Sequence, residues 1–343
     1  MQSRHEVLLL APSLLGPVPS TLADAVTDLP SCRQLERFLS RCRHKRRDKA
    51  LDGEAALCEG LQRFIPDGDQ TWPASGAIAA SALGLADGRM HYRAAPVHLR
   101  ADRDRVLLFA GNDLRLSAED ANSLTRDFNQ LYNDIQISLS FAQDHWVLSA
   151  AEAPGPDLPA LASVAGRYLD TVMPTDAASQ KWRQLLNEIQ MFLYDHPVNQ
   201  KRAAAGELSV NGFWFWGGGI QQPLELTAGG RLIGNDPIAR GIAELAKLPI
   251  ESLDQIERTQ SYDYSVIVWD VAEQALLGGD ASAWLQALAQ FNERFGPLLE
   301  RSLADRSLAM TLDTGACRYT PDRRWFHRLL RRDKALVDWV ERA

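Results

Sequence analysis

The chain has 343 residues, 45% hydrophobic and 24% charged, with a formal net charge of −7 at pH 7. That length ensures a sizeable core in one large α/β domain or two ordinary ones, and the acidic balance argues against a general nucleic-acid binder, whose affinity comes mainly from neutralising phosphates. Cys32, Cys42, Cys58 and Cys317 show neither C-x-x-C spacing nor a paired His, which predicts reduced thiols, no structural zinc and a cytoplasmic protein. No run approaches the roughly 18 apolar residues a membrane helix needs.

The apolar run 7–11 stops at Pro12, too short for a signal sequence, and predicts a buried first strand. Residues 31–62 alternate basic and apolar side chains in a helical manner, with RCRHKRRDK at 41–49 as the most charged part. Such a run is a solvated helix face, or alternatively an anion or nucleic-acid patch. Residues 66–76 are turn-rich, 77–85 predict a short buried helix, and a boundary follows Gly88. Charged residues then give way to Val106, Leu107, Leu108 and Phe109, a strand. Ser117 caps a helix carrying Ala121, Leu124, Phe128 and Leu131 at helical spacing. Strands follow at 135–141 and 146–150, a proline-rich loop at 153–159, and an amphipathic helix at 179–194 with Trp182, Leu185, Leu186, Ile189 and Leu193 on one stripe.

The segment 195–223, DHPVNQKRAAAGELSVNGFWFWGGGIQQP, is the densest in motif-like order. A helix has to end before His196-Pro197, because the residue before proline is pushed out of the α region. Beyond the aromatic run Phe213 to Trp216, Gly217, Gly218 and Gly219 allow a sharp turn or the close approach of a ligand or another backbone. From Phe213 onward strands and helices alternate: a strand into Gly217, a helix at 238–246, a strand at 264–269, a long helix at 281–303, a strand at 308–312, and a basic amphipathic helix at 323–340. Alternation of this kind implies parallel pairing with helices on both faces. In this reading the strand at Val7 completes the sheet, and the middle of the chain is an insertion.

His196-Pro197-Val198-Asn199, then Arg202, Gly206, Asn211 and Trp214-x-Trp216-Gly217-x-Gly219 to Pro223, resemble the archaeal-type, cofactor-independent phosphoglycerate mutases. Smaller echoes are Ala79 to Gly88 followed by Tyr92-Arg93, the helix opening at Ser117, and Arg240-Gly241-Ile242-Ala243. The resemblance implies an α/β fold: an alkaline-phosphatase-like three-layer core with a mostly parallel sheet (residues 1–90 and 212–343), interrupted by an inserted α+β domain (91–211). It also implies two divalent cations (Mn, Mg or Zn), a serine nucleophile, and aspartate and histidine ligands at strand ends, because paired metals stabilise both the attacking and the leaving oxygen.

The ligand pattern is broken here. The first strand runs into Ala11-Pro12-Ser13 where the family has an aspartate, residues 265–279 offer no histidine, and Asp313 is followed by Thr314 where an Asp-His pair is expected. Asp270 and Asp313 are what remain as strand-end carboxylates and weak metal candidates. His5, His44, His91, His98, His145, His196 and His327 show no H-x-x-H or D-H-x-x-H grouping. The expectation is a degenerate member with no catalytic residue and no cofactor; the alternative is an active phosphoglycerate mutase or phosphatase holding two cations. The chain also resembles the bacterial RpfE-like regulatory proteins in Pro96 to Arg105 and in the Asn211 to Gly219 run, which implies a regulatory association.

Arg93, His98, Arg100, Arg103 and Arg105 concentrate cationic donors just before a strand, and guanidinium forks suit carboxylates and phosphates. A retained site for a phosphorylated small molecule would combine Arg93, His98 and Arg100 with His196, Asn199, Lys201, Arg202 and Asn211. Surface ion pairs with Asp102 and Asp104 account for the cations more simply. Helix capping does the same for Asp270 and Asp313. The basic and aromatic residues from Arg318 to Arg332 form a terminal helix that packs inward or docks a partner protein; nucleic acid is the lesser reading.

Overall fold

The computed structural model describes residues 5–342 apart from 67–71, 86, 112–113, 144, 228, 255, 257–261 and 325–331. The elements in chain order are β1 (His5–Leu10), α1 (Arg33–Ser40), β2 (Cys42–Arg46), α2 (Gly53–Leu61), α3 (Ser75–Ala82), β3 (Met90–Asp102), β4 (Arg105–Phe109), α4 (Ala118–Leu131), β5 (Ile137–Ala142) and β6 (His145–Ala150). Two single turns, α5 (Leu161–Val164) and α6 (Leu169–Val172), precede α7 (Gln180–Tyr194), α8 (Pro197–Ala204) and β7 (Gly212–Gly219). The remainder is β8 (Gly230–Ile233), α9 (Pro237–Leu245), β9 (Ile250–Glu251), β10 (Tyr264–Val268), α10 (Val271–Leu277), α11 (Ala281–Ala304), β11 (Leu308–Asp313) and β12 (Cys317–Pro321). The chain divides into two compact units, residues 1–69 with 225–243 and 247–343, and residues 70–224 with 244–246. No helix among the described residues is long and apolar enough to cross a membrane.

The first unit is built on a seven-stranded sheet of order β2-β12-β11-β1-β10-β8-β9. β1 lies in its interior, parallel to both β10 and β11, while β12 and β2 extend the sheet antiparallel. The continuous apolar run of β1 reflects burial on both faces, as in parallel sheets. Val7 and Leu9 join Leu35 and Phe38 of α1 and Trp284, Phe291 and Phe295 of α11 in one core. Leu8 and Leu10 face the other way, where α2 packs so closely that a Cβ on Gly60 would stand 2.5 Å from Leu8. The mixed α/β class with a large parallel-containing sheet is therefore as the sequence implied.

Two expectations for this unit change. The basic run 41–49 is not a helix face: α1 stops at Ser40, and Cys42–Arg46 pair with β12 as an edge strand whose last four side chains are exposed. Solvated edge residues carry no hydrophobic period, so periodicity could not separate strand from helix there. A helix at 323–340 is also not seen where the chain is described. Leu336–Asp338 form a single 3-10 turn, and 325–331 lie outside the described residues.

The second unit holds a five-stranded sheet in which β3 is the hub. Its order is β4-β3-β6-β5, with β7 also pairing with β3. The sequence assigned α3 and β7 to the parallel core; both belong to this unit instead. Phe213, Trp214, Phe215 and Trp216 are all buried, and burial on both faces marks a central strand without saying which sheet receives it. The glycines after it serve close approach. Gly217 has φ +65°, and a Cβ there would lie 1.8 Å from Ser75 Oγ at the start of α3; one on Gly218 would lie 2.2 Å from the Tyr92 ring. Trp182 of α7 packs edge-on to Tyr92 at 5.2 Å, fixing the amphipathic helix against the sheet.

Candidate functional site

The carboxyl end of a parallel sheet is where open α/β folds gather their ligands, and in the first unit that end holds two acidic clusters. Asp313, the last residue of β11, is wholly buried. Arg47 donates to both its oxygens, Nη1 to Oδ1 at 2.8 Å and Nη2 to Oδ2 at 2.7 Å. Arg318 Nε donates to Oδ2 at 2.7 Å, and the Gly315 amide to Oδ1 at 2.9 Å. Glu59 closes the ring, accepting from Arg47 Nε at 3.1 Å and pairing with Arg318 Nη2 at 3.0 Å. Burial pushes the Asp313 pKa up, but the two guanidiniums outweigh it and hold the carboxyl below its ordinary value.

These bonds decide what Asp313 can do. A carboxylate offers about four lone-pair sites, and four donated bonds occupy them. Two fixed positive charges stand where the mutase resemblance would put cations, so Asp313 as arranged does not fit a metal ligand. Among the described residues no three His, Cys, Asp or Glu side chains are grouped to hold a metal ion.

The second cluster centres on Glu273 of α10, 8% exposed, whose Oε1 accepts the Gly53 amide at 2.8 Å. Burial first, then the charges of Asp52, Asp270 and Asp236, push its pKa up to about 8 against the opposing Gly53 bond. Glu273 therefore carries a proton at neutral pH. Its neighbours serve helix starts: Asp52 accepts from Ala55 N at the cap of α2, and Asp236 from Ala239 N in α9. Asp270 stands at the N-cap position of α10 without a side-chain cap bond, its carboxylate accepting from the Gln274 side-chain amide at 3.4 Å. Sequence reasoning missed both Arg47 and Glu273. Arg47 was hidden in a basic run, and nothing in sequence distinguishes one buried glutamate from exposed ones.

In the second unit, most residues of the resemblance motif bind the chain to itself. His196 caps α8, its Nδ1 accepting from Val198 N at 3.3 Å, while Nε2 stands 3.3 Å from Asp127. Asn199 donates to Leu193 O at 2.8 Å and Val210 O at 2.7 Å and accepts from Val210 N at 2.9 Å. Arg202 donates to Leu208 O at 2.6 Å and Arg115 O at 3.1 Å and pairs with Glu207. Asn211 clamps both main-chain groups of Leu99, at 2.6 and 2.9 Å. Lys201 pairs with Asp120 at 3.0 Å.

The cations of β3 and its turn are not brought together. Strand alternation puts Arg93 on the face opposite His98 and Arg100. Arg93 stacks on Trp216 at 4.9 Å, Arg100 on Phe109 at 4.5 Å, and His98 Nδ1 meets Ser209 O at 2.9 Å. Arg105 pairs with Asp170 and stacks on Tyr168, and Tyr168 in turn donates to Asp102. Arg103 holds the β3–β4 turn with φ 57°.

Asn199 holds both main-chain groups of Val210. Its loss as Asn199→Ala takes the side-chain partner from those two groups, at about 1–3 kcal/mol each before relaxation, while Leu193 O keeps the His196 amide. We expect a destabilisation of about 2–4 kcal/mol, read as a lowered urea midpoint of the second unit.

One further constellation was not legible in sequence. Ser149 Oγ lies 2.9 Å from His91 Nδ1, and His91 Nε2 lies 3.1 Å from Asp87 Oδ1. The order of groups is that of a hydrolytic triad, but His91 and Ser149 are both wholly buried. The hydroxyl has no route to a substrate, and burial holds the imidazole below its ordinary pKa against the pull of Asp87. It is a polar pin between β3 and β6.

No family model matches the chain. It is 22% identical over 160 residues to a probable 2,3-bisphosphoglycerate-independent phosphoglycerate mutase of Geobacter sulfurreducens, a match covering 40% of this chain and 40% of that protein's length. The structure of the PH0037 protein from Pyrococcus horikoshii superposes with a TM-score of 0.52 at 12% identity, covering 93% of this chain and 87% of that one. A cofactor-independent phosphoglycerate mutase from Thermoplasma acidophilum gives a TM-score of 0.43 at 16% identity, covering 93% and 89%. The chain is thus distantly similar to the cofactor-independent phosphoglycerate mutases and has a mixed α/β fold of the alkaline-phosphatase-like kind.

Proposed function

We propose that this protein is a non-catalytic relative of the phosphoglycerate mutases with a regulatory or ligand-sensing role. The observation that carries the reading is Asp313: the strand-end carboxylate is saturated by Arg47, Arg318 and Gly315. A guanidinium supplies positive charge but no open coordination position, so it can neither polarise a phosphoryl oxygen as a Lewis acid nor generate a metal-bound nucleophile. The missing strand-end aspartate at Ala11 and the absence of histidine from residues 265–279 support the same reading. The regulatory part follows the RpfE-like resemblance, and the ligand of a sensing role would be a phosphorylated small molecule.

The full-length protein, assayed with 2- and 3-phosphoglycerate and a generic phosphomonoester in the presence of Mn, Mg or Zn, should show no turnover above a heat-treated control. Robust turnover abolished by Asp270→Asn or Asp313→Asn would overturn the proposal. A phosphorylated ligand should instead raise the melting temperature without being consumed.

A further inference from the structure

The basic run of β2 forms an edge, and an edge has an open side. β2 ends the seven-stranded sheet, and among the described residues no strand pairs with its outer side. Arg47 N donates to Ala316 O at 2.9 Å and Asp322 N to Arg41 O at 3.0 Å, so the odd-numbered residues turn their main-chain groups toward β12. Antiparallel alternation then turns the amides and carbonyls of His44 and Arg46 outward. Pro321, which has no N–H to give, stands opposite Cys42, in keeping with that phase. Arg43, His44, Lys45 and Arg46 are all exposed. Arg43 and Lys45 lie on the sheet face shared with Arg318, and His44 and Arg46 lie on the other. Arg46 pairs with Glu341 at 3.0 Å, yet its side chain is 69% exposed, so that pair is solvent-screened and exchangeable.

We propose that the outer edge of β2 takes an acidic, extended segment of a partner protein as an added strand. Main-chain bonds at His44 and Arg46 would supply register, and carboxylates at alternate positions of the segment would meet the cations on each face. The observations favour a peptide over single-stranded nucleic acid, which needs exposed rings to stack on. Among the described residues beside β2, Tyr319 is buried, and Trp339 is half-buried and flanked by Lys334 and His44. Charged edges also protect sheets from self-pairing, and that role is the competing explanation. The proposal does not depend on whether the carboxyl end of the sheet supports turnover.

The test uses the full-length protein and a short synthetic peptide alternating Glu and Val, blocked at both ends. Binding should protect the His44 and Arg46 amides from hydrogen exchange and weaken about tenfold between roughly 50 and 300 mM salt. Arg43→Ser with Lys45→Ser should weaken it by a similar factor, and His44→Pro, which removes an outward donor, should abolish it. Circular dichroism confirms that each variant is folded, and the exchange pattern of the unaltered protein decides the matter where a variant is not. The proposal fails if the peptide does not bind or if a Lys and Val peptide binds equally well. It also fails if oligothymidine binds more tightly, or if the His44 and Arg46 amides stay unprotected. Self-association of the Arg43 and Lys45 double variant without peptide binding would establish the protective role in its place.

Discussion

Asp313→Ala should lower the stability of the first unit by about 3–5 kcal/mol, the range for breaking a buried ion pair by removing one partner. Arg47 and Arg318 would be left facing each other across an empty site, with Glu59 alone to balance them. Urea unfolding followed by circular dichroism measures the change. Its sign is informative. In a vacant metal site, deleting a carboxylate relieves repulsion among like charges and is neutral or stabilising. In a guanidinium-saturated site it strands two cations. The pH dependence follows from the depressed carboxyl. The folded-state pKa lies below the unfolded value of about 3.9, so the stabilisation is complete above roughly pH 4–5 and is lost as pH falls through the folded value. Asp313→Asn should therefore cost most near neutrality and least in acid.

Glu273→Gln should have the opposite pH profile. The folded-state pKa of about 8 lies above the ordinary glutamate value, so the group favours folding most below about pH 4, where it is protonated in both states. That advantage is lost as pH rises through 8. A difference of this size corresponds to a loss on the order of 5 kcal/mol across the interval. The Gln variant keeps the shape and the Gly53 bond but cannot ionise, so the two proteins should be about equally stable near pH 5. By pH 9 the variant should be the more stable by several kcal/mol. Equal profiles across that range would mean that Glu273 ionises freely in the fold and that its burial exacts no electrostatic penalty. Asp52 and Asp270 remain in both proteins, so the comparison isolates the one buried proton.

Much of the architecture was legible because burial writes itself into hydrophobic pattern. The run of β1, the Ser117 cap of α4, the Trp182 stripe of α7 and the strands β10 and β11 were all read from apolar spacing and turn residues. What failed was pairing between distant segments. β7 is a buried aromatic strand in either sheet, and only its register with β3, Ala95 against Trp214, assigns it. β2 is exposed and charged and so had no pattern to read. The site divides in the same way. The departures from the ligand pattern at Ala11 and Thr314 were visible in sequence, whereas the reason Asp313 persists was not: Arg47 is 266 residues away along the chain. The motif at His196, Asn199, Arg202 and Asn211 stood out as a binding-site candidate because polar residues at fixed spacing look alike whether they hold a ligand or a neighbouring carbonyl. Here the carbonyls of Leu193, Leu208, Val210 and Leu99 receive Asn199, Arg202 and Asn211, and His196 accepts the Val198 amide.

Calorimetric titration of the full-length, metal-stripped protein with Mn and Zn, run beside Arg47→Met and Asp313→Asn, distinguishes a guanidinium-saturated Asp313 from a metal ligand. The unaltered protein should show no stoichiometric, Asp313-dependent uptake, because the carboxylate oxygens are already occupied. Two cations bound per chain, lost in Asp313→Asn and accompanied by displacement of Arg47 from Asp313 in a metal-soaked crystal, would contradict it.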